Sequence, residues 1–336
     1  MERLRERALG CLAGLALGDA LGAPVEGLSP EEIEGLYGRV TGPVRAPEWH
    51  PHSSLRPLSV TDDTEMALLV ARLLVGRIEP LTAEEFASAL LKVRDRVLER
   101  HYYGPSTREA VERLARGVPA REAGGLSTTC GAAMRSPPVG AANALRPEAA
   151  AREAAEISLP THGGRPAVEA ASLVASAVAE AVRPGADLSS VVEAALAGAE
   201  LGGRAGKPVA APSVRERAEL AVELASSRDP WEAALRIRAV VGTRVDAAES
   251  VPAALGLVVA ARGDPMLAIE LAVNSGGDTD TVAAMAGAVA GALRGADALD
   301  RSMVEEVERA NSLDLEELAE GLARTAITRL GGGPAR

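Results

Sequence analysis

Apolar residues recur along this chain at helical rather than strand spacing. Met66, Leu69, Val70, Leu73 and Leu74 follow the i, i+3, i+4, i+7, i+8 series that lines one face of a helix. Ala167, Ala171, Val174, Val178 and Val182 mark a second such stripe. Thr82 followed by Glu85 has the form of a capping box, and Pro30 and Pro265 stand where a first helical turn accepts proline. No stretch alternates apolar and polar with period two, so the expected fold class is all-α. Three stretches lack the helical pattern: 41–60, broken by Pro43, Pro47, Pro51 and Pro57; 124–138; and 201–212, rich in Gly and Pro. A loop as long as the first is functional or disordered. Helical segments of the same character resume on each side of every break. Residues 1–330 therefore read as a single domain and 331–336 as a flexible tail.

Composition narrows the kind of helical protein. Of 336 residues 47% are hydrophobic but only 2% aromatic, and alanine makes up roughly a fifth. Such a core is built from Ala, Leu and Val, which favours closely packed helices and excludes disorder. With 36 basic and 47 acidic residues the formal charge is -11, and the chain lacks the basic face and stacking aromatics of a nucleic-acid binder. Cys11 and Cys130 are too few for a disulfide scaffold or a thiolate zinc site. The longest apolar run, Val282 to Leu293, falls short of a membrane span. Ala8 to Leu17 has the look of a signal segment, but Glu2, Glu6 and Asp19 dilute it. The expectation is a cytoplasmic monomer without membrane contact. The absence of Gln and scarcity of Asn and Lys fit either heat adaptation or a GC-rich genome.

Two acidic clusters stand at helix starts. Thr61-Asp62-Asp63-Thr64 precedes the first stripe, and Gly276-Gly277-Asp278-Thr279-Asp280-Thr281 precedes a small-residue helix reaching Leu293. Asp and Thr are good N-caps, yet capping satisfies one or two amides and does not need four oxygen-bearing side chains in a row. Adjacent carboxylates repel unless a cation lies between them, and Asp and Thr oxygens without thiolate suit Mg²⁺ or Mn²⁺. If the clusters converge across about 215 residues, they hold two such ions, and Gly276-Gly277 lets backbone approach metal or substrate. Gly18-Asp19-Ala20-Leu21-Gly22 ends an earlier helix and presents Glu26 on the following loop. The segment Trp49-His50-Pro51-His52 offers two imidazoles without a third ligand and reads as an exposed loop rather than a zinc site.

Taken in order, Gly18–Gly22 with Glu26, Thr61–Thr64, Gly131-Ala132-Ala133-Met134-Arg135, Thr161-His162 and Gly276–Thr281 resemble the ADP-ribosylglycohydrolase family. The resemblance runs from about Ala8 to Gly295. It implies an all-α orthogonal helical bundle with two Mg²⁺ (Mn²⁺ possible) in a central cleft, bound by Thr61, Asp62, Asp63, Asp278, Asp280 and Thr281. It implies that Glu26 lies beside the metals and acts on the attacking water or gates the substrate. Ser127, Thr128, Thr129, Cys130 and Gly131 would hold the terminal ribose and diphosphate, with His162 lining the cleft. The chemistry implied is cleavage at C1 of a ribose by metal-activated water, releasing ADP-ribose from an arginine or serine side chain. The chain departs from the family at Cys130-Gly131, where Asn-Gly is common. A thiol hydrogen-bonds a sugar more weakly than an amide does, which keeps open an N-ribosyl hydrolase of a small nucleoside-like substrate. A non-catalytic ADP-ribose-binding protein is a third reading, opposed by retention of Glu26 and all six oxygen ligands. No activating base stands near Cys130 in sequence, so it is not read as a nucleophile.

Overall fold

The computed structural model describes residues 1–226 and 229–331. Among them are 18 α-helices and three short 3₁₀ turns, with no β-strand beyond the isolated bridges Thr129–Asp246 and Gly164–Lys207. The expected stripes become buried faces. On the helix Asp62–Leu74 the buried apolar side chains include Met66, Ala67, Val70, Ala71 and Leu74, while Leu69 and Leu73 are only half-buried. The alanines fill positions that the larger residues alone did not mark. Every residue of the second stripe is buried, four on the helix Arg165–Ala181 and Val182 at its C-cap. Thr82 and Glu85 form the reciprocal capping box, and Pro30 and Pro265 open their helices. The helix Leu188–Gly203 runs three residues into the stretch expected to be irregular. At the far end Gly331 still belongs to the helix Leu315–Gly331, and residues 332–336 lie outside the described residues.

The element that organises the rest is the first helix, Glu2–Gly22. By length and composition it is apolar enough to cross a membrane, contrary to the expectation that no such run exists. Here 94% of its most apolar window is buried inside the protein, wrapped by other helices. Its closest partner is Thr279–Arg294, which runs antiparallel to it. Glycines at every fourth position of the first helix meet this partner's backbone. A Cβ at Gly10 would lie 2.3 Å from Gly291 O, at Gly14 2.1 Å from Gly287 O, at Gly18 2.2 Å from Ala283 O, and at Gly22 2.5 Å from Asp280 Cα. A side chain anywhere on this seam would drive the helices apart. The alanine and glycine surplus is therefore spent here on an inter-helix distance. The consequence is positional: the C-terminus of the first helix lies against the N-terminus of the second, with Asp19 and Glu26 beside Asp280.

Two of the three asparagines fix the long 41–60 loop to the bundle. Asn274 accepts from Val40 N at 2.9 Å and donates to Val40 O at 2.8 Å, while Asn311 accepts from Val60 N at 3.1 Å and donates to Leu58 O at 2.7 Å. Each amide satisfies a donor and an acceptor of the loop backbone at one end, as a strand neighbour would. The loop is ordered by its ends.

Candidate active site

The two acidic clusters converge. Thr281 Oγ1 donates to Asp63 Oδ2 at 3.3 Å, across 218 residues of sequence. Asp62, Asp63, Asp278, Asp280 and Thr281 line one cavity of about 270 Å³, together with Glu26, Tyr102, Thr129, Cys130, Gly131 and His162. All five of these cluster residues are buried, the most exposed being Asp62 at 8%. Glu26, Val245 and Asp278 also line an adjoining cavity of about 640 Å³. A narrow acidic floor thus opens toward a larger outer chamber.

The local chain path follows from backbone chemistry. Gly276 and Gly277 both adopt positive φ, 70° and 83°. A Cβ on either would come within 2.5 Å of a carbonyl, Leu28 O or Thr243 O respectively. The close approach expected of these glycines is therefore to neighbouring backbone. Gly27 N donates to Gly277 O at 2.7 Å, Gly277 N to Leu28 O at 2.9 Å and Asp278 N to Thr243 O at 2.7 Å. These bonds tie the Glu26 segment to the start of the second acidic cluster.

Asp19, which the sequence pattern placed in a motif without a role, organises the first cluster. Its buried carboxylate accepts from Thr61 N at 3.0 Å, Thr61 Oγ1 at 2.8 Å, Thr64 N at 3.1 Å and Thr64 Oγ1 at 2.6 Å. It caps the helix Asp62–Leu74 from another helix. The Thr64 hydroxyl, one of the oxygens that argued for a cation in sequence, is thus engaged by Asp19. Thr61 Oγ1 also reaches Asp63 Oδ2, at 3.4 Å. Thr279, likewise, donates to Gly22 O at 2.9 Å and joins the two central helices.

What remains is a concentration of buried negative charge without internal compensation. Burial, then the neighbouring Asp19 and Glu26, hold the Asp62 carboxyl well above the usual range; burial and Asp19 do the same at Asp63. Burial and Glu26 likewise raise Asp280, and Asp278 is pushed up to about 7. Asp63 Oδ1 is buried without a hydrogen-bond partner. Ligand atoms of Asp19, Asp63 and Asp280 lie within 4.8 Å of one another, as do those of Glu26, His52 and Asp280. An orphaned carboxylate oxygen among hard oxygen donors fits a divalent cation of the Mg²⁺ or Mn²⁺ kind.

The 127–131 segment divides its side chains between structure and cavity. Ser127 Oγ donates to Ser106 Oγ at 2.8 Å and Thr128 Oγ1 to Asp246 Oδ2 at 3.1 Å, which hold the loop. Thr129, Cys130 and Gly131 face the cavity. Cys130 Sγ donates to Asp278 Oδ2 at 3.1 Å; burial and Asp278 raise this thiol well above its ordinary value, so it acts as a donor that steadies Asp278. Arg135, fully buried, donates to Gly131 O at 2.6 Å, Ile157 O at 3.1 Å and Thr161 Oγ1 at 2.7 Å, with its guanidinium 4.7 Å from the Phe86 ring centroid. Burial lowers it to about 9. His162 Nδ1 pairs with Thr161 Oγ1 at 2.7 Å, and burial followed by Arg135 keeps the imidazole far below its usual value and neutral. Arg135 is a brace missed in sequence, where its charge said nothing of burial.

The His50–His52 segment is the clearest correction. Trp49 and Pro51 are exposed as expected, but the two imidazoles are buried, at 3% and 4% exposure. His52 Nε2 lies 2.6 Å from Glu26 Oε2, and His50 Nε2 lies 2.7 Å from Glu26 O. No spacing rule linked them to Glu26, because the contact closes through the tertiary path of the 41–60 loop.

The fold is all-α, and where two helix N-termini converge it forms an acidic cavity whose oxygen donors are of the kind that hold a divalent cation. The profile of the ADP-ribosylglycohydrolase family matches residues 1–330, and the chain belongs to that family. YegU of Escherichia coli, an uncharacterised protein, is 32% identical over 324 residues, 95% of this chain and 97% of its own. A protein of Archaeoglobus fulgidus is 34% identical over 86% of this chain and 88% of its own. The ADP-ribosyl-[dinitrogen reductase] glycohydrolase of Rhodospirillum rubrum is 43% identical over 77 residues, 22% of this chain and 24% of its own. A solved structure of an ADP-ribosylglycohydrolase-related protein complex superposes with a TM-score of 0.68 at 30% identity, covering 97% of this chain and all of that one.

Proposed function

We propose that this glycohydrolase-family chain is a Mg²⁺- or Mn²⁺-dependent hydrolase that cleaves the bond at C1 of a ribose. The product is ADP-ribose, released from a modified arginine or serine side chain of a protein. The observation that carries the proposal is the buried convergence of Asp62, Asp63, Asp278, Asp280 and Thr281, with Asp63 Oδ1 left unpartnered. With Thr61, these residues would hold the cations. When bound, such ions polarise substrate oxygens and make water a better nucleophile near neutral pH. Glu26 stands at the mouth of this floor, able to orient a water or accept its proton. Thr129, Gly131 and neutral His162 line the wall that would meet the sugar and diphosphate. Cys130 holds Asp278, so the thiol in place of the family's usual amide contributes to the acidic floor.

The outer chamber of about 640 Å³ beside the acidic floor favours a substrate with a bulky diphosphate-linked portion over a free nucleoside. Substitution tests the assignment: Asp62→Ala or Asp280→Ala should abolish release of ADP-ribose from ADP-ribosyl-arginine or an ADP-ribosyl-serine peptide. Unchanged turnover in either variant contradicts the cation-dependent reading.

A further inference from the structure

We propose that His50 and His52 are positioning residues for Glu26, a two-point clamp that holds its carboxylate at the acidic floor. The inference rests on the reading that Glu26 acts at the reacting ribose. Glu26 ends a three-residue 3₁₀ turn, outside any long helix, and its side chain is 39% exposed. Among the described residues His52 is the hydrogen-bond partner of its carboxylate. Asp62, Asp278 and Asp280 line the same cavity and, wherever they are ionised, repel it. Without that partner, a carboxylate with three side-chain torsions at this exposure is free to turn toward solvent.

The clamp opposes that tendency at two atoms. The Glu26 carbonyl can only accept, so His50 Nε2 carries a proton toward it; the His52 backbone N–H can only donate, so His50 Nδ1 receives it at 3.1 Å through a lone pair. One tautomer of His50 satisfies both contacts. His52 Nε2 donates to Glu26 Oε2, and His52 Nδ1 shares a hydrogen with His101 Nε2 at 3.1 Å. The rings continue as a row: Trp49, His50, His52, His101, Tyr102 and Tyr103 follow one another with centroid separations of 5.3 to 6.1 Å. Tyr102 and Tyr103 donate to the two oxygens of Glu65, on the helix that begins at Asp62. Three of four histidines and three of six aromatic residues thus form one row that touches Glu26 through His50 and His52 and Glu65 through Tyr102 and Tyr103. The loop carrying the clamp is fixed at both ends by Asn274 and Asn311.

Two variants and one spectrum test this on the full chain. His52→Leu removes the donor, whereas His52→Gln keeps an N–H at similar reach. With ADP-ribosyl-arginine as probe, His52→Leu should lower kcat by about 10²-fold, the scale of a misplaced catalytic group, with KM and Mn²⁺ affinity unchanged. His52→Gln should restore most of the loss, and His52→Leu should add little on a Glu26→Gln background. Loss of Mn²⁺ affinity in step with kcat makes His52 a cation ligand, and multiplicative loss with Glu26→Gln makes it independent of Glu26; either overturns the clamp. In a ¹⁵N-histidine NMR spectrum, His50 should appear as the Nε2–H tautomer and the His52 Nε2–H resonance should move in Glu26→Gln. That arm decides the clamp even where ADP-ribosyl-arginine is not turned over; an unmoved His52 signal overturns it.

Discussion

Asp63 concentrates the tension in this molecule. One of its oxygens accepts from Thr281 and Thr61 while the other is buried without a partner, and burial with Asp19, Asp62 and Asp278 nearby disfavours its charge. On the proposed function such a residue costs stability in the cation-free fold, and a bound cation offsets that cost. Asp63→Asn should therefore raise the thermal midpoint of the cation-free protein while weakening Mn²⁺ binding by at least about tenfold, the scale of losing support at a metal site. Calorimetry in EDTA and equilibrium Mn²⁺ titration measure the two effects; a lowered midpoint would mean that Asp63 is structurally satisfied. Asn311 is the opposite kind of residue, fully engaged through Leu58, Val60 and Val307. Asn311→Ala should cost about 1–3 kcal/mol in urea unfolding, because it orphans buried backbone groups. A cost near zero would show that the loop is held elsewhere.

At the scale of elements, the seam between Glu2–Gly22 and Thr279–Arg294 sets the site. Gly14→Val places branched carbons where the existing gap to Gly287 O would be 2.1 Å. The expected cost is about 3 kcal/mol, at the upper end of core overpacking, and cation affinity should fall as Asp280 moves away from Asp63. Unfolding and Mn²⁺ titration of the same variant check both, and full affinity with reduced stability would separate seam from site. Much of this was legible in sequence. Helical periodicity, the capping box at Thr82 and the acidic helix starts all stand where local pattern put them, since each depends on neighbours within one turn. The convergence of the two clusters came from resemblance, because no local rule spans 218 residues. What escaped was contact between segments distant in sequence: Asp19 capping another helix, Arg135 buried on the carbonyls of Gly131 and Ile157 and on Thr161, and His50 and His52 folded onto Glu26. In each case the side chain's ordinary solvent-facing role was overruled by a partner that only the tertiary path supplies.

For the whole molecule, the proposed cation site predicts a stability that depends on pH and on cations together. The carboxyls of Asp62, Asp63, Asp278 and Asp280 are raised above their unfolded values. Between about pH 4, where unfolded carboxyls titrate, and the value near 7 reached by Asp278, the cation-free folded chain binds more protons than the unfolded one. Its stability is thus greatest at the acid side of that window and falls as pH rises through it. On the proposed function divalent cations would replace those protons, so their stabilising effect should be larger at pH 8 than at pH 5. Thermal midpoints with Mn²⁺ and with EDTA at both values measure this, and an increment independent of pH would mean that the ions bind elsewhere. The measurement that bears most directly on the central claim is release of ADP-ribose from ADP-ribosyl-arginine and from an ADP-ribosyl-serine peptide, beside simple nucleosides, in Mg²⁺ and in EDTA. The account predicts release from at least one ADP-ribosylated substrate in Mg²⁺ and none in EDTA. Turnover of nucleosides alone, or release undiminished by EDTA, would contradict it.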